Sequence, residues 1–315
     1  LKLLQVQGVK PWQLLLGKAA ALWSIGLAIC LVVVGANVML VEGMDFGRVL
    51  AFFLTHALLL WVVAALVTCV SAGAKRSGTA AAVLLSFWVA GAIILPRLAA
   101  MSASALDPLP GRDAFQAAMQ EDREKGLDGH NPLDERRKKL EEEILAEYGV
   151  QTRAELPVCL GGLIMQADDE YGAKIWDKHF GELEEHLLRQ DGFAGKFSFV
   201  NPFQAVDRLS MAISGTGLSS HLEFLRQTED YRRELVRRLN EEDAYGVEMN
   251  AEGRLQRTTT QEFYLSFDSF EFSPLELDEL VGRQESDLLA LALWVLGATA
   301  ALAVTSRGMA GGVVS

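Results

Sequence analysis

Four long apolar segments constrain this chain more than any other feature of its sequence. They run from about Leu14 to Val41, Phe46 to Ala72, Thr79 to Met101 and Asp287 to Ser306. Each reaches about 20 residues or more, the length that crosses the hydrocarbon core of a bilayer as a helix. One such segment could be a buried helix of a soluble protein, but four in one chain favour a membrane protein. We therefore predict an all-α, polytopic fold with four spans.

Basic residues at the ends of these segments predict their orientation. When the chain is threaded back and forth, one side collects Lys2, Lys10, Lys18, Lys75, Arg76 and Arg307. Cytoplasmic loops are enriched in Lys and Arg, so this side is predicted to be the cytoplasm. The sequence thus predicts a cytoplasmic region (1–12), three spans (13–101), an extracytoplasmic domain (102–285), a last span (286–306) and a cytoplasmic tail (307–315).

The predicted extracytoplasmic domain is strongly acidic. Ser102 to Glu285 hold 38 acidic and 21 basic residues, whereas the rest of the chain holds 3 acidic and 8 basic residues. This composition argues against a nucleic-acid partner for this domain, because phosphate binding needs a basic face.

Apolar residues in this domain recur mainly at helical spacing. Trp176, Phe180, Leu183 and Leu187 share one face of a predicted helix. The aromatic alternation from Phe263 to Phe272 predicts a short strand or extended edge instead. A helix is predicted to begin at about Pro274 and lead into the fourth span, and Pro96 to kink or end the third.

No motif for nucleotide binding or catalysis is present in the sequence. It has no Gly-Lys-Ser/Thr loop, no His-Glu-x-x-His and no Cys-x-x-Cys. His179, Glu182 and His186 share a helix face, but a position beside the apolar stripe explains them better than a metal site does. We predict no catalytic residue, no metal and no cofactor in this chain, so ATP and Mg²⁺ would have to be bound by another subunit.

Three polar residues within the spans are candidates for a translocation path. They are Asn37, His56 and Arg97. Polar side chains are costly in lipid and often mark such paths. Two alternatives stay open: in one, Arg97 extends to the outer headgroups, and in the other, His56 is a neutral histidine bonded to a neighbouring helix.

The N-terminal stretch carries the most specific pattern. It reads Leu3-Leu4-Gln5-Val6-Gln7-Gly8-Val9, then Lys10-Pro11-Trp12 and Leu14-Leu15-Leu16-Gly17-Lys18. This resembles the cytoplasmic segment between the second and third spans of bacterial type-two ABC permeases, which forms the coupling helix that docks into the ATPase. The resemblance implies that Leu3 to Val9 dock the ATPase, and that two further spans and an elbow helix precede Leu1.

Two later stretches extend the resemblance over most of the chain. Leu109-Pro110-Gly111-Arg112 and the run from Asn201 to Ser210 look like a permease subfamily with a large helical periplasmic domain before the last span. The resemblance implies an inner-membrane permease that pairs with a second permease copy, in a homo- or heterodimer, and with an ABC ATPase. A periplasmic or envelope protein is a further expected partner.

Two other functions remain open. The chain could be a membrane-anchored scaffold or mechanotransmission subunit that recruits an envelope protein without moving cargo. It could also be a membrane enzyme with its active site in the acidic domain, but the acids there show no paired spacing and a solvated surface explains them.

Overall fold

The chain folds almost entirely into helices. A computed structural model describes residues 9–40, 43, 45–250 and 254–311. In chain order the elements are α1 (Pro11–Leu40), α2 (Phe46–Gly73), α3 (Ser77–Val89), a π-helical turn (Ala90–Ile94), α4 (Leu95–Leu106), α5 (Arg112–Lys125), α6 (Leu133–Glu147), α7 (Leu160–Gly195), α8 (Pro202–Ile213), α9 (Leu218–Tyr245), β1 (Val247–Met249), β2 (Leu255–Arg257), α10 (Gln261–Leu265), α11 (Leu277–Gly282) and α12 (Glu285–Gly311).

Among the described residues, four helical stretches are long and apolar enough to cross a membrane. They are Pro11–Leu40, Phe46–Gly73, Ser77–Leu106 and Glu285–Met309. A 30-residue helix rises about 45 Å, which exceeds the thickness of the hydrocarbon core. Large apolar side chains on these helices are exposed, among them Ile25 (62 %) and Val32 (72 %), as expected for a surface that faces lipid. The prediction of an all-α, polytopic fold is confirmed.

Small residues bring α1, α2 and α12 together. Ala19, Ala65 and Ala298 are almost fully buried in one cluster with Leu15, Val62 and Leu302. Small side chains allow close backbone approach in lipid, where no hydrophobic force drives helices together. The indole nitrogen of Trp61 donates to Thr299 Oγ1 at 3.0 Å, so its polar atom is satisfied between the helices.

The third apolar stretch changes its winding in the middle. The π-helical turn Ala90–Ile94 interrupts it just before Pro96, and the helix then continues to Leu106. The wide turn leaves room for the proline ring, which would clash with the carbonyl four residues earlier in a regular helix. The helix therefore extends past Met101, where the sequence prediction ended it.

The chain divides into two compact units. Among the described residues, the first contains the chain up to Asp107, Leu188–His221 and the residues from Pro274 onward, and the second contains Pro108–Leu187 and Leu222–Ser273. The segment predicted as one extracytoplasmic domain, 102–285, is therefore shared between them, and Leu188–His221 pack with the apolar helices.

The second unit is a helical body whose charged surface is tied by ion pairs. Ile144, Leu156 and Val158 form a buried cluster. The side chain of Arg233 pairs with Asp177 on α7 at 2.6 Å and with Glu229 on its own helix at 2.8 Å. The predicted helix with the Trp176–Phe180 stripe is present as part of α7, where the two rings stack at 4.5 Å.

The strand predicted from Phe263 to Phe272 is wrong. The segment begins with the short helix α10 and then runs without regular structure. It is held along α9 by side chains: Tyr231 donates to the carbonyl of Asp268 at 2.7 Å, and Gln227 bonds the backbone of Ser273. These side-chain hydrogen bonds hold the segment in place of the backbone hydrogen bonds that pair a strand with its neighbour. The antiparallel pair formed by β1 and β2 was not predicted.

The helix predicted from Pro274 into the last span is also corrected. The structure places two helices there, α11 and α12, separated at Arg283 and Gln284. Leu280 of α11 is 2 % exposed. The short helix thus packs as a separate element before the last apolar helix begins.

Gly162 of α7 lies against the backbone of α9. A Cβ added there would lie 2.5 Å from the amide nitrogen of Ala244 and 2.9 Å from the carbonyl oxygen of Asn240. Because backbone atoms cannot move aside as a flexible side chain can, Gly162→Ala should lower the free energy of unfolding by about 1–3 kcal/mol. Reversible denaturation of the full-length protein in micelles measures this loss.

Gly161→Ala is the matched control. Its Cβ would meet only Cys159 Sγ, at 3.6 Å, so stability should stay within about 0.5 kcal/mol of wild type. Equal effects of the two substitutions would contradict the close approach of α7 and α9.

Candidate functional site

The short helix α8 packs among the apolar helices and forms the centre of the first unit. Asn201 caps its start by accepting a hydrogen bond from the amide of Phe203 at 3.2 Å, and Pro202 occupies the first turn. Both residues favour a helix start. One face of α8 is buried with α12, in a cluster of Ala205, Val206, Leu209, Ala290 and Leu291. We call Asn201 and α8 together the connector.

The connector is bonded to the π-helical turn. Asn201 Nδ2 donates to the carbonyl oxygen of Gly91 at 2.7 Å. A Cβ on residue 91 would lie 2.6 Å from the ring of Phe203, so glycine is required for this approach. π-Helical turns are frequent at functional sites, and here the turn presents its backbone to the connector.

A buried ion pair bonds the connector to the last apolar helix. Arg208 Nε lies 3.1 Å from Asp287 Oδ2, and the carboxylate of Asp287 is completely buried. Ser198 donates to Asp287 at 2.5 Å, and Asp191 binds the other two guanidinium nitrogens at 2.6 and 2.8 Å. Asp287 lies in the first turn of α12, where a negative charge is favoured by the helix dipole.

The surroundings of Arg208 keep it charged. Burial disfavours the charged guanidinium, but the hydrogen bonds and negative charges of Asp191 and Asp287 outweigh this and raise its pKa. A buried carboxylate without such a partner would be strongly unfavourable. The first turn of α12 is therefore fixed to the connector by a charge pair whose carboxylate is fully buried.

A small cavity of about 30 Å³ lies beside Arg208. Ser220 and Gln284 line it. The buried atoms Ser220 Oγ and Gln284 Oε1 have no hydrogen-bond partner among the residues that the structure describes. A cavity of this size with several polar atoms can hold one ordered water. These two atoms bring polar groups from the start of α9 and from the break before α12 beside Arg208.

Arg48 fixes the other end of the connector. Its guanidinium donates to the carbonyl oxygen of Ile213, the last residue of α8, at 3.1 Å, and also to the carbonyl oxygen of Leu275. Asp45 lies 3.6 Å from Arg48 Nε. A cation at the C-terminal end of a helix satisfies its free carbonyls and favours its dipole.

An amphipathic groove opens beside Arg48, between the end of α1 and the start of α2. Its volume is about 420 Å³ and its lining is mainly apolar. The lining residues are Val33, Val34, Asn37, Asp45, Arg48, Val49, Phe52, Ile213 and Ser214. An apolar wall with a few fixed polar groups is typical of sites for small organic molecules.

Of the three candidate path residues, Asn37 lines the groove, and His56 contacts a residue that lines it. Asn37 lines the groove, with its amide nitrogen bonded to the carbonyl of Val33 at 2.8 Å. His56 bonds the carbonyl of Phe52 at 2.9 Å, and its ring lies 4.2 Å from the ring of Phe52, which lines the groove. Arg97 is exposed on α4, outside the groove. The role of these residues in transport stays a prediction.

Most of the predicted docking segment lies outside the described residues. This applies to Leu3, Leu4, Gln5, Val6, Gln7 and Gly8. Val9 is described and half-buried, and only Lys10 separates it from the start of α1. The segment is thus continuous along the chain with the helix whose other end borders the groove.

One histidine of the predicted face on α7, His179, bonds an acidic side chain of α5. His179 Nε2 lies 2.8 Å from Asp122 Oδ2, which also accepts a hydrogen bond from Lys178 at 2.7 Å. These hydrogen bonds, that of Lys178 foremost, lower the pKa of Asp122. Within the part of the chain that the structure describes, no three His, Cys, Asp or Glu residues are placed to hold a metal.

Sequence reasoning missed the Arg208–Asp287 pair. Arg208 was noted only within the run that resembles a permease subfamily, and Asp287 was taken as the edge of a span. An acidic residue at the start of an apolar run, with an arginine elsewhere in an apolar stretch, is the signal that could have suggested it. The partner itself could not be chosen, since 79 residues separate the two.

Comparison with protein families gives one finding. The family model described as Domain of unknown function (DUF3526) matches residues 112–273, slightly more than half of the chain. Comparison with curated proteins and with solved structures gave no match. The matched region includes the whole connector and Arg208, but not Asp287 or the helices α1 and α2 that border the groove.

Removal of the Arg208 side chain tests how much the buried ion pair contributes to stability. Arg208→Met leaves the buried carboxylate of Asp287 without a cation, so the free energy of unfolding should fall by about 3 kcal/mol or more. Denaturation of the full-length protein in micelles measures it. The double variant Arg208→Met with Asp287→Leu should recover much of this loss, because an apolar pair can replace a buried ion pair.

Arg237→Met is the control on the protein surface. Arg237 pairs with Glu234 and Glu241 on the exposed side of α9, and exposed pairs contribute little. If Arg208→Met were no more destabilising than Arg237→Met, the buried pair would not stabilise the first unit as we expect.

Proposed function

The chain belongs to the family described as Domain of unknown function (DUF3526), and we propose that it is the membrane-spanning permease subunit of a transporter driven by a separate ATPase. The proposal is carried by the amphipathic groove of about 420 Å³ at the ends of α1 and α2. Four apolar helices long enough to cross a membrane accompany it. A groove with this lining suits a small organic molecule that has an apolar body and a few polar atoms.

Helix α1 supports a route from ATP hydrolysis to the groove. The segment that resembles a coupling helix, Leu3 to Val9, leads into the start of α1, and Asn37 near its end lines the groove. A continuous helix of 30 residues can transmit a displacement of its first turn as a rigid body. An ATPase that pushes on Leu3–Val9 would thus move one wall of the groove.

The connector supports a route from that wall to the other apolar helices. Arg48 bonds α2 to the end of α8, Asn201 bonds α8 to the π-helical turn, and Arg208 bonds α8 to α12. A displacement of α2 would therefore be passed to the third and fourth apolar helices. In this proposal the chain does no covalent chemistry, and ATP with Mg²⁺ binds the ATPase subunit.

The proposal includes an assembly and a location. We place the chain in the bacterial inner membrane, as a homo- or heterodimer of permeases with an ABC ATPase, with residues of the acidic segment on the periplasmic side. The support for this is the distribution of Lys and Arg and the resemblance of residues 3–18. A periplasmic or envelope protein would be the further partner.

The ATPase partner gives the first test. Affinity purification of the full-length protein from its native membranes, with mass spectrometry, should recover an ATPase with a Gly-Lys-Ser/Thr loop. Leu4→Asp should reduce its recovery about tenfold or more, because a charge in an apolar docking contact costs several kcal/mol.

Leu265→Asp is the matched control for this experiment. Leu265 is 75 % exposed in the second unit, so this substitution adds the same charge away from the docking segment and should leave recovery unchanged. If no ATPase is recovered with wild type, or if both variants behave alike, the docking role of Leu3–Val9 is wrong.

The groove gives the second test, which separates transport from a scaffold role. Val34→Trp should fill the groove, whereas Ile29→Trp on the same helix adds the ring to a side that is 62 % exposed. Proteoliposomes of the complex with its ATPase are incubated with a cell extract and ATP, and their contents are analysed by mass spectrometry.

We expect a compound that accumulates only with ATP in wild type and in the Ile29 variant, and at least about fivefold less in the Val34 variant. If the ATPase binds and hydrolyses ATP but no compound accumulates, the groove is not a cargo path. The chain would then be a scaffold or mechanotransmission subunit.

A further inference from the structure

Three arginines line one cleft in the otherwise acidic second unit. The cleft has a volume of about 280 Å³ and lies between the end of α5, the first turns of α6 and the middle of α7. Its arginines are Arg123, Arg136 and Arg137, and its acids are Asp168 and Asp169. The cleft thus has more basic than acidic side chains, although the segment around it is acidic.

Neutral groups hold the guanidinium of Arg136 in place. Among the described residues, no acidic side chain forms an ion pair with it. Its guanidinium lies 3.7 Å above the ring of Tyr171. One terminal nitrogen donates to the carbonyl of Asn131 and the other to the carbonyl of Arg123 at 3.0 Å. The stacking and the carbonyl bonds fix the orientation of the guanidinium plane without adding a negative charge.

The other charged residues of the cleft differ in whether they have an oppositely charged partner. Arg137 is neutralised by Asp168, with N–O distances of 2.8 and 2.6 Å. Asp169 accepts a hydrogen bond from the amide of Asn240 at 3.0 Å. Arg123 is exposed and has no ion pair or side-chain hydrogen bond within the described part of the chain. The cleft thus keeps a net positive charge, with one fixed and one free guanidinium.

The floor of the cleft is apolar. Leu133, Met165 and Ile175 contribute to its lining, and Ile175 is 2 % exposed. Gly172 leaves the floor open, because the nearest atom to a Cβ placed there would be Arg123 Nη2 at 3.7 Å. An inorganic anion would leave this apolar surface uncovered, whereas an organic anion would cover it.

We propose that this cleft binds a small, soluble organic anion with a phosphate or carboxylate group and an apolar or aromatic body. Arg123 and the plane of Arg136 receive the anionic group, since guanidinium donors match the geometry of phosphate and carboxylate oxygens. The apolar body lies over Gly172 against Met165. This assignment concerns the second unit alone and does not depend on the transport function.

Isothermal titration of the full-length protein in nanodiscs of neutral lipid tests the assignment. The probes are 1-naphthyl phosphate, 1-naphthoate and inorganic phosphate. We expect at least one naphthyl probe to bind about tenfold more tightly than inorganic phosphate, because it also buries apolar area. Equal affinity for all three, or no binding of either naphthyl probe, would overturn the proposal.

Variants test which residues are involved. Arg123→Gln should weaken binding of the tighter naphthyl probe about tenfold, because it removes a charge-assisted hydrogen bond. Lys138→Gln on α6 removes the same charge from a side chain that is 79 % exposed, outside the cleft, and should leave affinity within about twofold.

Gly172→Leu should abolish naphthyl binding by filling the floor, while circular dichroism shows the wild-type helical signal. Equal weakening by Lys138→Gln and Arg123→Gln would mean general electrostatic attraction and would overturn the site. Retained naphthyl binding in a folded Gly172→Leu protein would do the same.

Discussion

The buried pair of Arg208 and Asp287 determines how the apolar helices are joined to the rest of the first unit. Lipid offers no hydrophobic force between helices, so packing of small residues and polar contacts must set their arrangement. Ala19, Ala65 and Ala298 allow close approach but do not specify which helix end meets which loop. The charge pair does specify this, because a buried carboxylate is tolerated only beside its cation. It places the first turn of α12 against α8.

The connector then brings the remaining spans into the same arrangement. Asn201 both caps α8 and bonds the carbonyl of Gly91, so the start of α8 and the π-helical turn hold each other. Arg48 bonds the last carbonyl of α8 from the second apolar helix. A 12-residue helix thus meets three of the four apolar stretches through side-chain hydrogen bonds. Such contacts have defined geometries, so they fix the orientation of α8 relative to these three stretches.

The sequence predicts the features that depend on neighbouring residues, and it does not predict contacts between residues far apart in the chain. The four spans could be predicted because a helix in lipid satisfies its own backbone, and its apolar composition is a local property. The pairs Asn201–Gly91 and Arg208–Asp287 could not, because 110 and 79 residues separate the partners. The aromatic alternation from Phe263 was misleading, since it was interpreted as a strand while Tyr231 and Gln227 hold the segment against α9. Of the candidate site, Asn37 was identified from the sequence, but the groove around it requires α2 and Ile213 of α8.

The distribution of charge shows why net charge was a poor guide to the second unit. The acidic excess argues against a nucleic-acid partner, but it is an average over a surface. Arg123 and Arg136 are separated in sequence by the turn at Gly126, where a positive φ of 89° ends α5. That turn reverses the chain so that Arg136 can donate to the carbonyl of Arg123. Local folding therefore gathers a positive cleft within an acidic segment. The two candidate sites therefore suit different ligands. The groove beside Asn37 is apolar with few charges, whereas the cleft of α5, α6 and α7 would select its ligand mainly by negative charge.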